Sequence, residues 1–232
     1  MCTYRSLGYD NRMRIINLSE KVSILDEYLC EIRDVNIQKD RMRFVKNLER
    51  IGFISAYEIS KELEYQPTKT QTPLSIAKTK TLSKQPVIAT VIRAGLPMHG
   101  GFVQVFDKAD SSFMAAYRKK GNDGNMESVI EYASSPKLDN RPLIIADTMI
   151  ATGTTIVDIY NKLMEYGTPS QVFISGVILS RPAIEYIKQH IPSVVLYTAA
   201  IDEELDDRFY IVPGLGDAGD ISYGEKYRGP VE

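Results

Sequence analysis

Residues 143–155 read LIIADTMIATGTT and run directly into IVDIYNKLMEY at 156–166. The run Leu143–Ala146 is apolar without period-two alternation, the pattern of a strand buried on both faces of a parallel sheet. An acidic residue, Asp147, closes that run. The turn Thr152-Gly153-Thr154-Thr155 then opens a helix expected over Thr154–Tyr166. A helix N-terminus offers unpaired N–H groups and a partial positive charge, and Gly153 allows close backbone approach. Two readings follow from these residues alone. They form a cradle for a phosphate monoester, or an ordinary strand–turn–helix closed by a threonine cap. No Walker motif occurs, which speaks against a P-loop nucleotidase.

The neighbouring sequence repeats the alternation. Val87–Ile92, Val172–Leu179 and Val194–Ala200 are further apolar, β-rich runs, and Pro182–His190 reads as a helix. Phe113–Arg118 and Ser128–Ser134 flank Gly121-Asn-Asp-Gly124, the signature of a hairpin. Upstream, Val22, Leu25, Leu29 and Ile32 recur at helical spacing after Ser19, a candidate N-cap. A second amphipathic segment starts near Asp40 and carries Met42, Val45, Leu48, Ile54, Ile59 and Leu63. The Thr-, Lys- and Pro-rich stretch 65–85 reads as an extended excursion rather than a linker. The expected fold class is α/β: a central, mostly parallel sheet flanked by helices. One domain is expected over 1–232, with a helical part at 1–64 and an α/β core at 87–200. In such folds ligands bind at the carboxyl ends of strands, so the loops there are the places to search.

Arg93 stands in VIATVIRAGLP (87–97), at a strand end with little bulk beside it. Arg118 ends FMAAYR (113–118). A lone arginine at a strand end suits an ion pair with a surface carboxylate. Two beside a phosphate loop present planar forks matched to pyrophosphate oxygens. Near the C-terminus, YIVPGLGDAG (210–219) formally matches GxGxxG through Gly214, Gly216 and Gly219. Only thirteen residues follow, too few for a dinucleotide-binding unit. Ile211, Val212 and Leu215 instead suggest an apolar wall beside exposed backbone groups, which a flat heterocycle with amide edges could pair with. The alternative is a surface loop.

The totals bound the function classes. The chain has 232 residues, 28 Lys and Arg against 30 Asp and Glu, a formal charge of −2, and 44% hydrophobic residues. That balance argues against a nucleic-acid-binding face. No run approaches 18 apolar residues and the N-terminal stretch lacks an apolar h-region, so neither a membrane span nor a secretory signal is expected. Two cysteines, Cys2 and Cys30, cannot form a disulfide framework and suit the cytoplasm. Cys30 is expected to pack on its helix beside Leu29. His99 and His190 show no metal-ligand spacing. The acidic run 202–207 (DEELDD) lacks an EF-hand pattern and reads as a solvated loop.

The motifs resemble those of a known family. LIIADTMIATGTT is similar to the phosphoribosyl-pyrophosphate motif of type I phosphoribosyltransferases, though Thr148 and Thr154 depart from the usual residues. YIVPGLGDAGD (210–220) is similar to the base-binding loop of the uracil phosphoribosyltransferases. The resemblance covers roughly Leu18 to Gly224. It implies a β-hairpin arm, a C-terminal base-binding hood at 208–224, and transfer of phosphoribose from 5-phosphoribosyl-1-pyrophosphate (PRPP) to uracil, giving UMP and diphosphate. It also implies donor contacts by Arg93, Arg118, Asp147, Thr148, Met149, Ile150, Ala151, Thr152, Gly153, Thr154, Thr155 and Asp217. Uracil would meet Tyr210, Ile211, Gly216, Asp217 and Ala218. Catalysis would fall to Asp217, Arg93 and Arg118, with Mg2+ held mainly through PRPP and by Asp217. Lys119 and Lys120 would belong to a hairpin covering the donor. A homo-oligomer and, in some relatives, a GTP effector complete the implication. The rival readings are a regulator that keeps the fold without turnover, and an enzyme acting on a purine.

Overall fold

A computed structural model of the chain describes residues 13–120 and 126–227, with the side chains of 117–120 and 126–128 outside the description. In chain order the elements are β1 (Arg14–Asn17), α1 (Ile24–Arg33), α2 (Arg41–Ser60), β2 (Tyr65–Gln71), β3 (Ile76–Leu82), β4 (Val87–Ile92), α3 (Leu96–Val105), β5 (Asp110–Lys120) and β6 (Met126–Ser134). Then follow β7 (Pro142–Ile150), α4 (Thr154–Met164), β8 (Gln171–Ser180), α5 (Arg181–His190), β9 (Val195–Asp202), β10 (Glu204–Leu205), β11 (Ile211–Val212) and α6 (Ala218–Tyr223).

Seven strands form one sheet in the order β1-β9-β8-β7-β4-β5-β6, parallel except where β6 runs antiparallel to β5. The apolar runs predicted to be buried on both faces are so. Along β7, Ile144 packs with the α1–α2–α3 side, whereas Leu143 and Ile145 pack with the α4–α5 side. The sheet is therefore sandwiched between two helical layers, each burying its own apolar cluster, which is why the strands show no alternation.

The order of strands fixes where a ligand goes. From β4 the chain builds outward through β5 and β6; from β7 it builds the other way, through β8 and β9. The adjacent pair β4 and β7 is thus the point where the winding reverses, and a crevice opens beyond their carboxyl ends.

Several local expectations change. Helix α1 starts later than expected, because Ser23 forms a capping box with Asp26; Ser19 instead donates from Oγ to the Ala199 carbonyl at 2.7 Å. Val22 is 93% exposed and outside the helix. Cys30 is exposed rather than packed, turned about 100° around the helix from buried Leu29. Asp40 caps α2 as its position suggested, but Met42 faces solvent. The 65–85 excursion is the two-stranded β2–β3 ribbon, with a cross-strand hydroxyl pair Thr70–Thr79 at 2.7 Å. The turn Gly121–Gly124 lies outside the described residues, although β5 and β6 pair on either side of it. Among the described residues no helix is long and apolar enough to cross a membrane.

Candidate active site

A cleft of about 790 Å³ lies at the β4/β7 reversal, roofed by the segment 207–219. Its floor is built by β7. The strand does not end at Asp147 as the sequence suggested: pairing with β8 continues to Ile150 against Leu179. Asp147 is nevertheless at the cleft, 9% exposed, with its Oδ1 accepting from the Thr148 N–H at 2.7 Å. Strand alternation then decides the fate of Thr148. It is fully buried and does not line the cleft, and its hydroxyl has no hydrogen-bond partner among the described residues. Met149, Ile150 and Ala151 do line the cleft.

The helix that follows the loop is not capped by a threonine. The N-cap of α4 is Gly153, at φ +80°, and no side chain caps the first turn. The threonine-cap reading is thereby excluded. Thr154 spends its hydroxyl on Thr152, 2.8 Å away, and does not face the cleft, whereas Thr152, Gly153 and Thr155 do. By contrast α1, α2, α5 and α6 are capped by Ser23, Asp40, Ser180 and Asp217. An uncapped helix start opening onto a cleft is the arrangement that receives an anion. Gly153 is required twice over, by its positive φ and because a Cβ would come within 3.0 Å of the Ala183 carbonyl. Ser180 holds the loop from beneath, donating to the Ala151 carbonyl while capping α5.

Arg93 follows β4 directly, joined to Ile92 by a cis peptide, and lines the cleft. Its Nη2 donates to Asp220 Oδ1 at 2.8 Å and to the Gly224 carbonyl at 3.4 Å. Its Nε is buried with no hydrogen-bond partner among the described residues. A buried donor in that condition costs about 1–3 kcal/mol until an acceptor arrives. The backbone of Arg118 lies in β5 opposite Ser128, but its side chain, like those of Lys119 and Lys120, lies outside the described residues.

The roof is more ordered than a surface loop. Ile211 pairs with Leu205 in the β10–β11 ladder, and Ile211, Leu215 and Ala218 are buried. Val212 points outward, 42% exposed, so it forms no part of the apolar wall. Tyr210, Ile211, Gly216, Asp217 and Ala218 all face the cleft. Gly214 sits at φ +55°, where a Cβ would meet the Ile211 carbonyl at 2.1 Å. Asp217 Oδ1 accepts from the Asp220 N–H at 3.0 Å and starts α6.

Sequence reasoning missed the residues that hold this roof. Asp202, read as part of a solvated acidic run, is 6% exposed and accepts from both Nη atoms of Arg33 at 2.8 and 2.9 Å. Both then grip Gly214: Arg33 Nη1 donates to its carbonyl and Asp202 Oδ2 accepts from its N–H, each at 2.9 Å. Asp206 Oδ1 accepts from the Arg208 and Tyr210 N–H groups. His99 does not line the cleft. Its ring nitrogens bond Thr90 at 2.7 Å and Ser111 at 3.2 Å, and burial holds its pKa below the usual histidine value.

Among the described residues no cluster of three or more His, Cys, Asp or Glu could hold a metal. A Mg2+ ion that arrives on phosphates needs only one or two carboxylates. Asp147 and Asp217, both at the cleft, are hard oxygen donors of the right kind.

The comparisons bear on the same residues. The uracil phosphoribosyltransferase family model matches residues 20–224, from the 3-10 turn before α1 to the end of α6. The chain belongs to the uracil phosphoribosyltransferase family. A uracil phosphoribosyltransferase of Porphyromonas gingivalis is 43% identical over 215 residues, covering 92% of this chain and 100% of the relative. One from Pyrococcus furiosus is 37% identical, covering 86% and 85%. Among solved structures, the AQ2163 protein of Aquifex aeolicus is similar with a TM-score of 0.82 at 26% identity, covering 90% and 98%.

Proposed function

We infer that the chain transfers the phosphoribosyl group of PRPP to uracil, releasing diphosphate and forming UMP, a pyrimidine-salvage reaction. The observation that carries this is the meeting, in one cleft, of an uncapped helix N-terminus with the intact YIVPGLGDAGD roof.

In this reading the N–H groups of 152–155 and the hydroxyls of Thr152 and Thr155 anchor the 5-phosphate, and Asp147 holds ribose hydroxyls. Thr148 and Thr154 act only through their backbones. As the anomeric C–O bond breaks, the ribose develops oxocarbenium character and negative charge gathers on the departing diphosphate. Arg93, held by Asp220, and Arg118 stabilise that charge. Asp217 faces the developing positive charge. Asp217 and Asp147 would hold a Mg2+ ion arriving on the donor's phosphates, which would supply charge neutralisation of the leaving group. Uracil presents alternating carbonyl and N–H groups, which the backbone at Ile211, Gly216 and Ala218 complements beside Tyr210. Its ring nitrogen forms the new bond to the anomeric carbon and loses its proton. Much of the acceleration comes from alignment, so no nucleophilic side chain is required. The same reading includes a cytoplasmic setting, a homo-oligomer and a GTP effector, the last two carried by family rather than geometry.

The test supplies PRPP, Mg2+ and each free base in turn. UMP formed from uracil and no nucleotide from hypoxanthine, guanine or adenine is the expected result. Purine nucleotide would move the assignment to another base; tight PRPP binding without turnover would make the chain a sensor.

A further inference from the structure

Resting on that reading, the geometry points to Asp220 as a positioning residue for the donor, orienting Arg93 and tying the base-binding roof to the leaving-group end of the cleft. Asp220 does not itself line the cleft, but it bonds two residues that do, Arg93 and Asp217. Its side chain is 13% exposed, behind an Arg93 side chain that is 36% exposed.

Three observations converge on the pair. The 2.8 Å bond fixes one end of the guanidinium, and the Gly224 carbonyl steadies the same Nη2 from the far end of α6. The Nε of the same group is buried without a hydrogen-bond partner among the described residues, so the fork is set in place with a donor still unspent. Asp220 is also bound through its own N–H to Asp217, the carboxylate that roofs the cleft. One short helix thus carries Asp217 toward the substrates and Asp220 onto Arg93. A long arginine stem otherwise samples many rotamers, and holding it in one is what makes bidentate anion recognition efficient. The opposite arrangement, in which Asp220 competes with the diphosphate for Nη2, predicts the opposite sign on binding.

The test measures the dissociation constant of inorganic pyrophosphate, with Mg2+, by calorimetry on the full chain. We expect D220A to weaken binding about tenfold, since an ill-placed arginine fork loses geometry as well as charge-assisted bonding. D220N, which keeps an acceptor oxygen of the same shape, should weaken it about threefold. In an R93A background D220N should change nothing further, because its effect passes through the arginine. Binding as tight as or tighter than wild type in D220N overturns the inference, as does an equal loss with and without Arg93. If D220A does not fold, the D220N cycle decides alone. Wild-type protein that binds neither pyrophosphate nor PRPP would instead remove the functional reading, and this inference with it.

Discussion

Asp217 has two jobs that one substitution can separate. Its Oδ1 caps α6, and its carboxylate faces the cleft. Asparagine caps a helix about as well as aspartate, so D217N should leave the hood folded and the melting temperature close to wild type. In the proposed mechanism, what it removes is the negative charge opposite the developing cation. The loss of one preorganised electrostatic partner typically costs about 10²–10³ in turnover. D217N should accordingly lower kcat by at least about a hundredfold with little change in melting temperature. Near-normal turnover would take the catalytic role from Asp217. Thr148 shows the complementary lesson. Adjacent in sequence to Asp147, it is carried by the strand pleat to the other side of the sheet, so sharing a motif did not mean sharing a site.

Between elements, the joint that matters most is the one sequence could not show. Arg33 at the end of α1 and Asp202 at the end of β9 are 169 positions apart, and together they hold Gly214 in the roof. Removing Arg33 leaves a nearly buried carboxylate without its cation. Truncating one member of a buried pair costs about 3–5 kcal/mol, and with Arg33 itself 24% exposed a loss of about 2–3 kcal/mol is expected for R33A. Because the freed segment is the proposed uracil site, the uracil KM should rise while the PRPP KM changes little; urea unfolding and initial rates read the two effects. Equal changes in both KM values would mean the pair supports the whole cleft. What was legible beforehand follows the same division. Apolar runs buried by local hydrophobicity, such as Val87–Ile92, were read to the residue. β1, α3 and α6 were not read. β1 is four residues on a sheet edge, α3 contains Pro97 and two glycines, and α6 begins as AGD, a string that looks like a loop until Asp217 caps it. Each of these depends on a tertiary partner rather than on its own pattern.

At the scale of the whole molecule, a formal charge of −2 gives no hint of an anion site, because the cleft works by placing a few charges and one helix start. The same scarcity makes pH behaviour readable. Only two histidines are present, and His99, half-buried on α3, is bonded to Thr90 of β4 and Ser111 of β5 and tilted against the Phe113 ring at 5.1 Å. Two hydrogen bonds with hydroxyls suit a neutral imidazole, and burial lowers its folded pKa below the ordinary value. The unfolded chain, with its histidine near about 6.5, therefore binds a proton more readily than the folded one. The stability this group contributes is complete above about pH 6.5, is lost as pH falls through its lowered folded value, and changes no further below it. Replacing His99 by glutamine removes the titration while keeping a side-chain donor and acceptor. Urea unfolding between pH 7.5 and 5, an interval chosen to lie above the usual carboxylate range of about 4, should show wild type losing stability on the acid side. H99Q should give a flatter curve, less stable than wild type at pH 7.5 and closing on it at pH 5. Parallel curves would place the acid sensitivity elsewhere and leave His99 with a packing role alone.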